Sequence, residues 1–276
     1  MSANEYHIDI NEELSRQQPA ALLASQCGLS KQKAKEAMQK GAVWLTHGKH
    51  TRRLRRQKSQ LKAGDSLHFY YNPEVLKATA QTAVLIADEQ SFSLWNKPSG
   101  MLSQGSKWGD HTTITRWAEK NLEPQRPAFL VHRLDRAARG LILIAHSKKA
   151  AQNLSALFAH RAIEKHYKVI VHGEFPDQEE IHFDNPIDDK ASHSIATREA
   201  FDAHQNRSLL DVRIESGRKH QIRRHLSEAG FPVVGDRLYG HEGDSEDLQL
   251  ASASLEFINP FSTKHEKFML ESPLSL

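Results

Sequence analysis

The chain has 276 residues, 38% of them hydrophobic and 26% charged, with a formal net charge of only +3. That is room for one large folded domain, or for a large and a small one. The single cysteine, Cys27, excludes an intramolecular disulfide and a thiolate metal cluster. No apolar run approaches the roughly 18–20 residues that span a bilayer. The polar, acidic start M-S-A-N-E-Y-H-I-D-I is unlike a signal or transit peptide, so a cytoplasmic protein with no membrane partner is expected.

The charge is unevenly spread. Residues 1–72 carry twelve Lys/Arg against six Asp/Glu, whereas the rest of the chain sums to −3. A basic N-terminal piece suits a polyanion-binding appendage. Gln18–Gly28 reads as a short helix. Ser30 is placed to cap a second one running through Lys40, with Gly41 as its stop. Lys31, Lys33 and Lys35 then project from more than one face of that helix. Val43–Thr46 and Ser66–Tyr71 read as strands. Between them T51-R-R-L-R-R-Q-K58 holds five positive charges in eight residues, and Arg52, Arg53, Arg55 and Arg56 are expected to track phosphates from a flexible loop. Residues 73–82, opened by Pro73, read as a linker.

From residue 83 onward strands alternate with helices. Val84–Ala87, Ser93–Asn96, Leu141–His146, Tyr167–His172, Ser194–Phe201, Leu209–Ile214, Ser254–Phe257 and Phe268–Glu271 read as strands. Ser147–His160 reads as a capped amphipathic helix. The uneven connections predict an α+β domain: a mixed, largely antiparallel sheet with flanking helices. A small α/β module precedes it.

Three ordered blocks carry the chemistry. In the first, His132-Arg-Leu-Asp135, a carboxylate sits in a loop before the apolar strand opened by Gly140. The second, K165-H-Y-K-V, offers Tyr167. The third, G217-R-K-H-Q-I-R-R-H-L226, predicts a helix over Lys219–Ala229 with Ile222 and Leu226 on its buried stripe. Arg223 at the edge of that stripe wants a carboxylate, and Asp135 is the natural candidate. Arg218, Lys219, Arg223 and Arg224 can face a cleft or a phosphate backbone. His132, Asp135, His220 and His225 do not form a tight metal shell, since histidines five apart point to different helix faces. There is no G-x-S-x-G elbow for a hydrolase.

With N96-K-P-S-G100 and G235-D-R-L-Y-G240, these blocks resemble the ordered motifs of the RluA-type pseudouridine synthases over residues 83–272. Residues 1–72 resemble the αL-type RNA-binding domain of a small-subunit ribosomal protein. The resemblance carries over G28-L-S-K-Q-K-A, K40-G-A-V-W-L-T-H-G-K49 and L61-K-A-G-D-S-L-H-F. The synthase resemblance implies that Asp135 is the catalytic carboxylate driving breakage of the uridine glycosidic bond, before the base rejoins the sugar through carbon 5. Tyr167 would stack on the target base and act as general base, although a free phenol near pKa 10 needs help to do so. Arg223 would pair with Asp135, Leu226 would pack under the base, and Arg133 would fill the space the flipped uridine leaves. His132, Arg218 and Gln221 lie in the matched motifs and are expected to line the substrate site.

The reaction needs no cofactor and no metal. The expected partner is RNA, ribosomal RNA ahead of transfer RNA, bound by a monomer. Ala138-Arg139 departs from the family's Thr-Ser and implies altered recognition. The alternative is a non-catalytic RNA-binding factor for ribosome assembly, built on the same fold.

Overall fold

The computed structural model describes residues 3–178, 180–271 and 273–276. Two units partition the chain: one takes it to Ala80 together with Gln104–Trp117, the other takes Gln81–Ser103 and Ala118–Leu276.

The first unit runs through β1 (Asn4–Asp9), α1 (Glu12–Ser15), α2 (Pro19–Cys27), α3 (Lys31–Gln39), β2 (Val43–His47), β3 (His50–Arg53), β4 (Ser66–Tyr71) and α4 (Pro73–Lys77). Its antiparallel sheet has the order β1-β4-β2-β3. Ser30 does cap α3, accepting from the Lys33 amide at 3.3 Å. Alternation along β4 sends Leu67, Phe69 and Tyr71 inward, into a core with Leu22, Leu23, Ala37 and Met38 of the helices. Each fully buried Leu or Phe there contributes about 1.5–3 kcal/mol.

Two expectations are revised in this unit, and the polar start adds a strand. The polar start is an edge strand: β1 pairs with β4 from Asn4↔Tyr71 to Asp9↔Ser66, while Met1 and Ser2 lie outside the described residues. The expected linker begins with a helical turn, because Asn72 accepts from the Glu74 and Val75 amides ahead of Pro73. The basic loop is half strand and is pinned by buried Leu54. Arg53 stacks 4.2 Å over Trp44 and donates to the Ser106 carbonyl at 2.8 Å. Arg55 donates to the Gln39 carbonyl at 3.0 Å, and both guanidiniums pair with Asp110. Arg52 and Arg56 remain exposed, as do Lys31 and Lys33, with Lys35 half-buried.

The chain continues through β5 (Val84–Asp88), β6 (Phe92–Lys97), α5 (Ile114–Asn121), β7 (Phe129–Leu130), β8 (Arg139–Ala145), α6 (Lys148–Ala159), β9 (Ile163–His172), β10 (Ile181–Phe183), β11 (Ser194–Asp202), β12 (Arg207–Ile214), α7 (Gln221–Glu228), β13 (Leu250–Ile258) and β14 (His265–Met269). Strands β5 to β14 form one sheet of order β10-β11-β12-β9-β13-β8-β6-β5, with β14 beside β13 and β7 beside β8. Its pairs are antiparallel except β13 with β8. This is the mixed, largely antiparallel α+β sheet that the unequal connections imply. Helix α6, capped by Ser147 as expected, lays Ala150 and Leu154 against Phe92, Leu141, Leu143 and Phe257 of the sheet.

One register position brings distant parts of the chain together. Ser252 of β13 lies opposite Gly140 of β8 on one side and Tyr167 of β9 on the other. Gly140 has φ +111°, and a Cβ built there would lie 2.3 Å from the Ser252 carbonyl oxygen. Only glycine permits the approach. It brings the loop that ends at β8 within reach of the tyrosine two strands away.

Candidate active site

The His132–Ala138 loop is held from below by the segment after β6. Ser103 Oγ donates to the Leu134 carbonyl at 2.7 Å and accepts from the Leu134 amide at 3.1 Å. The Gly100 amide donates to the Arg136 carbonyl at 2.8 Å, and Arg136 Nε returns a bond to the Gly100 carbonyl at 3.2 Å. Lys97 is completely buried. Its ammonium donates to the carbonyls of Met101 at 2.9 Å, Pro98 at 3.0 Å and Ala138 at 2.6 Å. Burial pulls Lys97 down to about 7, and the charge of Asp135 opposes that fall. The motif N96-K-P-S-G100 is therefore a backbone clamp on the carboxylate loop.

Helix α7 supplies the cation. Arg223 is 5% exposed and donates from Nη1 to Asp135 Oδ2 at 3.2 Å. Its stronger partner is Asp236, which takes Nε at 2.7 Å and Nη2 at 2.6 Å in a two-pronged pair. Asp236 is itself fixed by the Leu238 and Tyr239 amides at 2.9 and 3.2 Å. The turn that carries it needs Gly235, at φ +76°, where an added Cβ would lie 2.4 Å from the Asp247 carbonyl oxygen. Sequence reasoning placed Arg223 against Asp135 alone. The G-D signal for Asp236 was visible, but not its role.

Asp135, Tyr167 and Arg223 line one cavity of about 320 Å³, with Leu134, Ala138, Ile214, Ile222 and Leu250 as apolar walls. That is room for a nucleoside. Tyr167 is 8% exposed. Burial, and then the nearby charge of Asp135, push its phenol well above the usual tyrosine range. It is therefore protonated at neutral pH, which counts against a resting tyrosinate base. His220, the left-handed residue opening α7, reaches to 3.8 Å from Asp135 Oδ1 and pairs through Nδ1 with the Tyr239 hydroxyl at 3.0 Å. Burial holds it below the usual imidazole range.

Arg133 and Arg218 also border this cavity, whereas three expected substrate contacts have other work. Leu226 is 1% exposed inside the core, and Ile222, one turn earlier, faces the cavity instead. Gln221 does line the cavity, but it spends every polar atom on the protein: Oε1 accepts from Ser216 and the Arg218 amide, and Nε2 donates to the His193 carbonyl and Ser194. His132 stacks on Phe158 at 4.3 Å and accepts the Leu143 amide through Nε2 at 2.9 Å. Burial depresses it to about 3, so it is a neutral strut. Arg139 donates to the Pro273 carbonyl at 2.7 Å and not into the cavity.

Residues 91–228 match the family model for RNA pseudouridylate synthase. The chain belongs to that family. It is a pseudouridine synthase of the RluA type, an isomerase of uridines in RNA. It is 30% identical over 214 residues to a dual-specificity RNA pseudouridine synthase RluA of Vibrio parahaemolyticus, covering 70% of this chain and 82% of that one. It is 28% identical to a tRNA pseudouridine synthase C of the same species, covering 65% and 86%. A ribosomal large subunit pseudouridine synthase D of Zymomonas mobilis is 27% identical, covering 68% and 69%. The fold is similar to that of human RNA pseudouridylate synthase domain containing 1, with TM-score 0.58 and 19% identity over 71% of this chain and 86% of that one. The non-catalytic alternative gives way to an enzyme.

Proposed function

We propose that this enzyme isomerises uridines of structured RNA, ribosomal RNA ahead of transfer RNA, with Asp135 as its catalytic carboxylate. The observation that carries the reading is the Asp135–Arg223–Asp236 chain of ion pairs at the wall of a nucleoside-sized cavity. A carboxylate pinned at one oxygen by a buried guanidinium keeps its other oxygen, Oδ1, for the substrate. In this reading Asp135 drives breakage of the bond from sugar carbon 1′ to base nitrogen 1. The base turns, carbon 5 bonds to carbon 1′, and the carbon 5 proton departs. Tyr167 stacks on the base and takes that proton once its surroundings allow the phenol to ionise. Ile222 and Leu250 support the base, and Arg133 fills the vacated stack.

The exposed lysines of α3, with Arg52 and Arg56, support an RNA-binding role for the first unit. Such an appendage suits an extended, structured substrate and favours ribosomal RNA. The named relatives divide between transfer and ribosomal RNA, so the substrate is decided by assay. Total RNA labelled with tritium at carbon 5 of uridine, from cells lacking this protein, is treated with wild type or with Asp135→Ala. Release by wild type alone, from the ribosomal fraction, is the expected result. Equal release by Asp135→Ala would remove Asp135 from the chemistry, and release from the transfer RNA fraction alone would reverse the substrate order.

A further inference from the structure

A second cavity, of about 430 Å³, shares Arg133, Tyr167 and Arg218 with the first and extends from it towards Lys165 and Arg161. Four cations line it against one carboxylate, Glu215. That carboxylate already pairs with His193 at 3.0 Å, and His132 in the same wall accepts a backbone amide and adds no charge.

Lys165 is the informative member. It is 6% exposed, and among the described residues its ammonium has no hydrogen-bond or ion-pair partner. A cation on so buried a side chain, at the wall of a cavity, is best met by an anion in that cavity. The alternation of β9 puts Lys165 on the same face as Tyr167, one pleat away, which is about 7 Å along the strand. Arg161 stands at the turn after α6 with φ +57°, a left-handed conformation in which glycine is the easier residue, and it too has no side-chain partner among the described residues. Arg133 is exposed and likewise unpaired there.

We infer that this second cavity is a phosphodiester subsite: Lys165, with Arg161 and Arg218, takes the backbone phosphate adjoining the uridine held against Tyr167. The inference rests on the proposed placement of the uridine in the first cavity. A nucleotide's phosphate lies within several ångströms of its own base, so a base stacked on Tyr167 delivers an anion to the next inward position of the strand. A bound phosphate supplies the partner that Lys165 lacks, and a charged hydrogen bond made only with the correctly seated strand ties binding to base flipping.

Two arms test it. In the first, full-length Lys165→Met, Lys165→Arg and Arg161→Ala are compared with wild type in tritium release from the carbon-5-labelled total RNA over a salt series. Lys165→Met should raise the apparent KM about tenfold or more, with kcat nearly unchanged. It should also flatten the salt slope by about one unit. Lys165→Arg should recover most of the loss, and exposed Arg161→Ala should show a smaller rise in KM. Unchanged KM and slope in both Lys165→Met and Arg161→Ala, with wild type active, would overturn the subsite while leaving the synthase reading intact.

The second arm does not need turnover. Uridine 3′,5′-bisphosphate, uridine and inorganic phosphate are titrated calorimetrically into wild type and Lys165→Met. The bisphosphate should bind wild type more tightly than either of the others, and Lys165→Met should erase that advantage. No advantage over uridine sinks the inference. Inorganic phosphate binding as tightly as the bisphosphate would identify a free-anion site and overturn the assignment to the RNA strand.

Discussion

Asp236 grips Arg223 through two nitrogens, at 2.7 and 2.6 Å, and leaves Asp135 only the third, at 3.2 Å. The guanidinium is thus oriented by a carboxylate that does not line the cavity, and Asp135, which does, is oriented in turn. Planar two-pronged pairing fixes direction as well as distance. Arg223 acts as a rigid spacer between a structural aspartate and the proposed catalytic one.

Asp236→Asn should therefore strike both stability and turnover. It leaves Arg223 buried with half its partner, a change that costs about 3–5 kcal/mol in comparable buried pairs. Urea denaturation with RNA turnover measured alongside checks this. Asp236 is held below the usual carboxylate range: its burial, which raises it, is outweighed by the Arg223 pair and the Leu238 and Tyr239 amides. Its stabilisation is full above the unfolded value of 3.8 and is lost as pH falls through the lower folded value. The stability gap between wild type and Asp236→Asn should accordingly be flat from pH 7 to about 5 and narrow below about 4. A gap independent of pH would show that the pair contributes nothing through ionisation.

The four arginines of the N-terminal basic run should separate into two classes. Neutralising exposed Arg52 or Arg56 should lower the salt slope of RNA binding by about 0.7–0.9 each, with the melting temperature unmoved. Substituting Arg53 or Arg55 should leave the slope nearly unchanged and lower the melting temperature. Those side chains hold Trp44, Asp110 and backbone carbonyls of Gln39 and Ser106. A slope change of equal size at all four positions would refute the division.

What was legible in the sequence is what depends on local pattern. Ser30 and Ser147 announce their helices by side-chain chemistry within three residues, and β4 shows its alternation directly. The order of the three blocks brought Asp135, Tyr167 and Arg223 to one place. What was not legible depends on partners far along the chain. Arg55 is captured by Asp110, 55 residues on, and His132 by the ring of Phe158. Whether Ile222 or Leu226 faces the cavity turns on the rotation of α7, because residues four apart share a stripe to within a fraction of a turn. The two-pronged partner of Arg223 was fixed by a tight turn whose geometry no periodicity encodes.

Gly140→Ala tests the register that joins the loop to the tyrosine. A methyl group there meets the Ser252 carbonyl oxygen and amide nitrogen at 2.3 and 2.5 Å, at a backbone angle disfavoured for any side chain. Strands β8 and β13 must part or the loop must move. Either way a loss of about 3 kcal/mol or more is expected, with turnover falling further than stability alone explains. Thermal denaturation and single-turnover rates measured on the folded fraction separate the two. A variant as stable and as active as wild type would mean that the approach of β8 to β13 is not what positions the loop.

On the proposed roles of Asp135 and Tyr167, the raised phenol of Tyr167 implies an order between the two groups. One of its two causes is burial, which persists through the reaction; the other is the negative charge of Asp135. If Asp135 forms a bond to the substrate, its charge disappears and the phenol becomes easier to ionise, so the carboxylate acts first and the tyrosine second. A spectroscopic titration of tyrosinate in wild type, Tyr167→Phe and Asp135→Asn examines this directly. The difference between wild type and Tyr167→Phe should show no ionisation below about pH 10. In Asp135→Asn the corresponding ionisation should move down, since the neutral amide removes the repulsion while keeping the shape. An unmoved titration would sever the electrostatic link between the two residues. Tyr167→Phe itself should bind RNA normally and turn over about a hundredfold more slowly or worse.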